Sequence, residues 1–217
     1  MDNKFIVVDG VDGCGKTTSI EYLKEYLTSK GHNVRLTKAI GSGKNGMALR
    51  QLLLENRFNI QDINDLLILS CHINSLREVN EHLELGYTVI HDRYLASYWA
   101  YNFQVPFNEA TKESRNKVLN LFNLCLTDRN VIGREPDLSL YIDISPEKAK
   151  ERMIARGAPL SYTDNGTVQY FQNLIDAFKD YYDTNVVKHT VIENNKDNIE
   201  ILYSQLRNSV DKLFYKN

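Results

Sequence analysis

The sequence predicts an α/β fold, a five-stranded parallel sheet flanked by helices in three layers. Two observations carry that prediction. Short apolar strand patterns alternate with helical ones along the whole chain, and strands joined through helices run parallel in a sheet covered on both faces. In addition, the first strand, ending FIVVD, runs directly into the glycine-rich turn GVDGCGKT at residues 10–17.

In order, strands are predicted at Lys4–Asp9, Asn33–Lys38, Tyr87–Asp92, Leu138–Ile144 and His189–Glu193. Helices are predicted at Lys16–Lys30, Met47–Leu54, Asp62–Leu85, Thr111–Leu124, Pro146–Arg156, Gln169–Tyr182 and Lys196–Phe214. The first helix carries Ile20, Leu23, Tyr26 and Leu27 at helical spacing. Ser145 and Pro146 form a helix start. The stretch GAPLSYTDNGT, within a flap at about 157–168, is rich in turn formers and has no core pattern, so it reads as mobile.

The turn matches GxxxxGK[ST], and its position between strand and helix gives the match its meaning. Glycines leave no Cβ between backbone and anion, so successive N–H groups of Gly10, Val11, Asp12, Gly13, Cys14, Gly15, Lys16, Thr17 and Thr18 can cradle phosphate. The following helix N-terminus adds positive potential. Lys16 supplies a mobile charge for the β- and γ-phosphates of a nucleoside triphosphate. The Thr17 hydroxyl suits Mg²⁺, which prefers oxygen ligands shared with phosphate. The architecture expected is that of phosphate-loop nucleotide-binding proteins, with one domain spanning 1–217. Cys14 has no partnering base and reads as a small filler.

Ligands of such sheets sit at the carboxyl ends of the strands. The third strand ends in Asp92-Arg93, placing a carboxylate to serve Mg²⁺ through water and a guanidinium to grip phosphate. The first ends at Asp9, with Asp12 in the loop, where a carboxylate serves Mg²⁺ or a sugar hydroxyl, or merely favours the turn. The second ends at Lys38 before AIGSGKNG, either a second phosphate grip or a solvated turn. Arg152 and Arg156 share a helix face before the flap. Arginines on a flap beside a phosphate loop suit phosphoryl transfer, where the protein neutralises charge and excludes water.

Composition sets bounds. The 217 residues carry a net charge of −2, which gives no global basic surface for nucleic acid. No apolar run reaches membrane-spanning length. A strand near the start leaves no room for a secretory leader. Cys14, Cys71 and Cys125 show neither metal spacing nor a disulfide framework. The expectation is a cytoplasmic protein without nucleic-acid or membrane partners.

Taken together, FIVVDGVDGCGKTT, TKAIGSGKNGMALRQLLL, GYTVIHDRYLASYWAY and PDLSLYIDISPEKAKERMIARG resemble the thymidylate kinase family of nucleoside monophosphate kinases over most of the chain. The resemblance implies transfer of the ATP γ-phosphate to a deoxynucleoside monophosphate, with dTMP as the expected acceptor, and it implies a homodimer. It implies that Lys16, Asp12, Arg93 and Arg156 are catalytic, with Arg152 and Asn195 beside ATP. It places Asp12 at the acceptor sugar, Arg93 and Lys38 at its phosphate, and Tyr101, with Ser97 and Tyr98, nearby. Thr17 and Asp92 would serve Mg²⁺.

The chain departs from the family at the base site. Ile68 and His72 stand where the family has a phenylalanine and an arginine. Ile68 packs without stacking, and His72 offers one or two hydrogen bonds and is expected to titrate near neutral pH. The second loop has Ala39-Ile40 for a Glu-Pro pair, and Gly13 stands where some members carry arginine, which shifts charge to Arg156. Two alternatives stand beside this reading. A kinase for another nucleoside monophosphate or for a deoxynucleoside is one, although a nucleoside kinase wants a carboxylate base after the second strand, where Lys38-Ala39-Ile40 has none. A non-catalytic nucleotide switch is the other; Asn195-Lys196-Asp197-Asn198 only approaches the guanine-reading N-K-x-D pattern.

Overall fold

A computed structural model describes residues 3–55, 61–101, 120, 135–157, 167–184 and 187–215. Five strands, β1 (Phe5–Asp9), β2 (Val34–Lys38), β3 (Thr88–Asp92), β4 (Leu138–Asp143) and β5 (His189–Glu193), form one sheet in the order β2-β3-β1-β4-β5. Every pairing is parallel. The central strand β1 is buried along its whole length, as a strand covered on both faces must be. Its side chains alternate between two cores. Ile6 and Val8 join the larger one, with Leu23 and Leu27 of helix α1 (Lys16–Ser29). Phe5 and Val7 join a second, with Leu69, Leu76 and Val79 of helix α3 (Gln61–Glu84).

Between them lies α2 (Gly43–Leu54), and after β3 comes the short α4 (Leu95–Trp99). The remaining helices are α5 (Pro146–Ala155), α6 (Val168–Thr184) and α7 (Ile199–Tyr215). Ser145 caps α5, its hydroxyl accepting from the Lys148 N–H, with Pro146 in the first turn. The large apolar face of α6, including Phe171, Leu174 and Phe178, is buried against the larger core.

Most boundaries fall within two residues of the sequence expectation; two helix starts and one further helix differ more. Helix α2 starts at Gly43 and not at Met47. Its first turn, GKNG, is poor in helix formers, yet Gly46 is buried and packs close to Asn74 of α3. Helix α4 was not expected, being too short for a periodic signal. Helix α7 starts three residues after Lys196. The helix expected at Thr111–Leu124 lies outside the described residues apart from Asn120, as do residues 158–166 of the expected flap. Among the described residues, no helix is long and apolar enough to cross a membrane.

Candidate active site

The parallel register delivers the site residues. β1 ends at Asp9, opposite the end of β3, and Lys38 is paired with Asp92 across β2 and β3. All strand ends therefore face the loop at residues 10–15. Gly13 has φ +82°, and a Cβ there would run into the carbonyl of Ala149 in α5. The loop and α5 are thus in backbone contact, which only glycine permits. Gly15, the N-cap residue of α1, offers no side-chain cap, so the first N–H groups of the helix remain directed at the loop.

Lys16 is 8% exposed and spans this loop, its Nζ donating to the carbonyls of Gly10 (3.0 Å) and Val11 (2.9 Å). Cys14 is buried, and burial raises its thiol pKa, so it packs and does not react.

Arg93 is the sole described non-glycine residue with a left-handed backbone, at φ 69°. Such strain costs on the order of 1–3 kcal/mol and gathers at functional sites. Its N–H donates to the Val8 carbonyl, and this fixes the turn. Its guanidinium points back at the loop, donating to the Gly10 carbonyl (3.2 Å) and the Ser97 hydroxyl (3.3 Å). It also ion-pairs with Asp12 and lies over the Tyr101 ring, 4.9 Å from its centre. Tyr101 donates its hydroxyl to Asp12 Oδ2 and accepts from the Asp12 N–H, both at 3.2 Å. Burial works to raise the Asp12 pKa, but the charges of Arg93 and then Lys16 outweigh it and hold the carboxyl below its ordinary value.

Among the described residues, three cavities lie around the loop. One of about 260 Å³ is lined by Asp12, Ile68, His72, Arg93, Ser97, Tyr98 and Tyr101, together with Ala39 and Ile40. It gathers every residue expected at the acceptor except Lys38. Lys38 lines a neighbouring cleft of about 460 Å³ with Thr17, Asp92 and Glu78. There Asp92 Oδ1 is buried with no hydrogen-bond partner among the described residues. An orphaned carboxylate oxygen beside a threonine hydroxyl fits a hard cation such as Mg²⁺.

A third cavity, of about 250 Å³, lies on the α5 side, lined by Gly15, Thr18, Arg152, Arg156, Asn194 and Leu202 among others. Asn195, expected beside ATP, does not line it. Its side-chain oxygen accepts from the Ser145 N–H (2.6 Å), which turns it away. Asn194 takes the position, donating to the Cys14 carbonyl at 2.7 Å.

His72 also differs from expectation. It is 2% exposed, edge-on to the Tyr98 ring, and burial lowers its pKa to about 4. It is a neutral pocket residue at physiological pH and does not titrate near neutrality. The pocket-lining Ala39 and Ile40 were not singled out as site residues. Asp9, expected with Asp12 to serve Mg²⁺ or a sugar hydroxyl, is buried with both carboxylate oxygens taken by protein donors, so of the two only Asp12 lines the pocket.

A phosphate loop spanned by its own lysine, facing a second pocket built on an arginine, defines an ATP-dependent phosphotransferase. The thymidylate kinase family model matches residues 8–205. A thymidylate kinase of Thermoanaerobacter sp. (strain X514) is 32% identical over 160 residues, covering 73% of this chain and 74% of that relative. One from Francisella tularensis subsp. novicida (strain U112) is 27% identical over 219 residues, covering 99% and 95%. The crystal structure of thymidylate kinase from Ehrlichia chaffeensis shares the fold at TM-score 0.71 and 21% identity, covering 97% of this chain and 100% of that one. The chain belongs to the thymidylate kinase family.

Proposed function

We propose that this chain transfers the γ-phosphate of ATP to dTMP, giving dTDP and ADP, across the junction between the phosphate loop and the Arg93 pocket. One observation carries the reading. Asp12, Arg93, Ser97, Tyr101, Ile68 and His72, scattered over 90 positions of sequence, line one cavity beside the loop. The family match supports the same reaction.

The acceptor phosphate is already an anion, so its oxygen attacks the γ-phosphorus in line without a strong general base. The bond to the β–γ bridging oxygen breaks, and ADP leaves. Lys16 and the loop N–H groups hold the donor phosphates, and Arg93 grips the acceptor phosphate. Asp12 meets the acceptor sugar, while Tyr101 packs beneath and leaves no room for a 2′-hydroxyl. Lys38 meets the transferring group from the β2 side. Arg152 lies towards adenine, and Arg156 supplies the charge that Gly13 cannot. Thr17 and Asp92 would hold Mg²⁺, which when bound neutralises phosphate charge. Ile68 packs on the base, and neutral His72 reads its edge with a single hydrogen bond.

The same proposal makes the chain one kinase domain over 1–217 and a homodimer. Met47, Leu54 and Leu66 on α2 and α3, 65%, 53% and 44% exposed, give a second copy apolar surface to cover. The free thiols of Cys14 and Cys71 suit a cytoplasmic setting. The test is ADP release against a panel of deoxy- and ribonucleoside monophosphates. A clear preference for dTMP is expected; equal or better use of another base would overturn the acceptor assignment.

A further inference from the structure

The proposed reaction gives Asp9 no part, yet it is among the most enclosed charged groups of the described residues. It ends β1 at 1% exposure. Both carboxylate oxygens are occupied. Oδ1 accepts from the Ser97 hydroxyl and from the Tyr94 N–H at 3.1 Å, both at the start of α4. Oδ2 accepts from the Tyr182 hydroxyl of α6 at 3.3 Å. A buried carboxylate is costly to desolvate, and these three donors offset that cost.

The chain of donors has one direction. Arg93 Nη1 donates to Ser97 Oγ, and Ser97 Oγ donates on to Asp9. Ser97 has one proton and gives it to Asp9, so its lone pairs are left facing Arg93. The guanidinium is therefore held from two sides. On the cleft side stands Asp12, half exposed, whose anionic charge competes with any phosphate that Arg93 grips. On the inner side stands the Ser97–Asp9 pair, shut away from solvent. When Arg93 exchanges Asp12 for phosphate, the inner pair is the anchor that stays.

We propose that Asp9 is a positioning residue for acceptor binding, acting through Ser97 to hold the Arg93 guanidinium in phosphate-gripping geometry. The inference rests on Arg93 being the acceptor-phosphate grip. The two carboxylate oxygens divide the work, Oδ1 serving Arg93 and Oδ2 docking α6.

The experiment measures steady-state KM for dTMP and for ATP, with thermal melting, in Asp9→Asn, Ser97→Ala, Tyr182→Phe and Arg93→Ala. Asp9→Asn keeps the shape and removes the charge, while Ser97→Ala cuts the relay and leaves the carboxylate with two of its three donors. Both are expected to raise KM for dTMP roughly tenfold, with KM for ATP within about twofold. The double variant should be no worse than the more damaged single one, because one weakens and the other cuts the same chain. Tyr182→Phe should lower the melting temperature and leave KM for dTMP unchanged. If Arg93→Ala raises KM for dTMP while Asp9→Asn and Ser97→Ala do not, the relay is wrong and the Arg93 assignment stands. If Arg93→Ala leaves KM for dTMP unchanged, both are wrong. Equal rises in both KM values for Asp9→Asn would mark a general structural role and overturn the proposal.

Discussion

Lys16 and His72 show how burial sets what one side chain does. Lys16 Nζ is held by two carbonyls of its own loop, so its charge is placed at the donor phosphates with little freedom left to lose. Lys16→Ala removes that charge from the transferring group. It should lower turnover by roughly 10²–10³-fold, comparable to losing one preorganised donor in other transfer enzymes. Single-turnover ADP formation checks it, and activity within a few-fold of the parent would remove the loop lysine from the reaction. His72 works by the opposite route. Neutral and buried, it presents one N–H or one lone pair to the base, depending on tautomer. His72→Ala should therefore narrow the ratio of kcat/KM for dTMP over dCMP, by roughly 3–30-fold for one lost hydrogen bond. The same acceptor panel reads the effect, and an unchanged ratio would take His72 out of base reading.

At the scale of elements, the contact between the phosphate loop and α5 joins donor binding to the arginines. Gly13 lies against the Ala149 backbone, and α5 carries Arg152, with Arg156 directly after it. Gly13→Ala has to move backbone against backbone and adopt an unfavourable φ. It should cost a few kcal/mol, lower the melting temperature by roughly 5–10 °C, and raise KM for ATP. Gly86→Ala is the comparison, since Gly86 also has positive φ (+85°) but a Cβ there meets open space. A smaller melting shift and an unchanged KM for ATP are expected there. Equal effects in the two variants would mean that φ strain alone, and not the α5 contact, governs Gly13. This contact was not legible in the sequence, which showed the glycine but not its neighbour. The strands were legible because short strand patterns recur between helical ones, and all five end in a charged residue. Asn194 and Asn195 were not separable, because which of two adjacent amides faces the loop depends on the Ser145 N–H from the preceding β4–α5 connection. The burial of His72 was hidden for a similar reason. It depends on Tyr98 in α4, a helix of one turn with no periodic signature.

For the whole molecule, the two most deeply buried histidines, His72 and His91, couple stability to pH. His91 is fully buried, its Nδ1 paired with the Thr37 hydroxyl at 2.7 Å, and burial lowers its pKa to about 3, with His72 adding to the shift. Both folded values lie below the ordinary 6.5. Between about pH 4 and 6.5 the unfolded chain therefore binds protons that the folded chain refuses, so stability rises with pH across that window and is lost on acidification. Each histidine forfeits about 3 kcal/mol by pH 4, which lies about 2.5 pH units below the ordinary value, at about 1.4 kcal/mol per pH unit. Asp12, held low, adds a loss below its own ordinary value, while Asp9, raised by burial, opposes it. Two such histidines together approach the whole stability of an ordinary domain, about 5–15 kcal/mol. The melting temperature should be level from pH 8 to 7 and fall steeply below 6.5. His91→Gln, which keeps a partner for Thr37 but cannot take up a proton, should flatten part of that fall. A melting temperature independent of pH between 6.5 and 4.5, or a His91→Gln curve parallel to the parent, would show that these histidines do not govern acid stability.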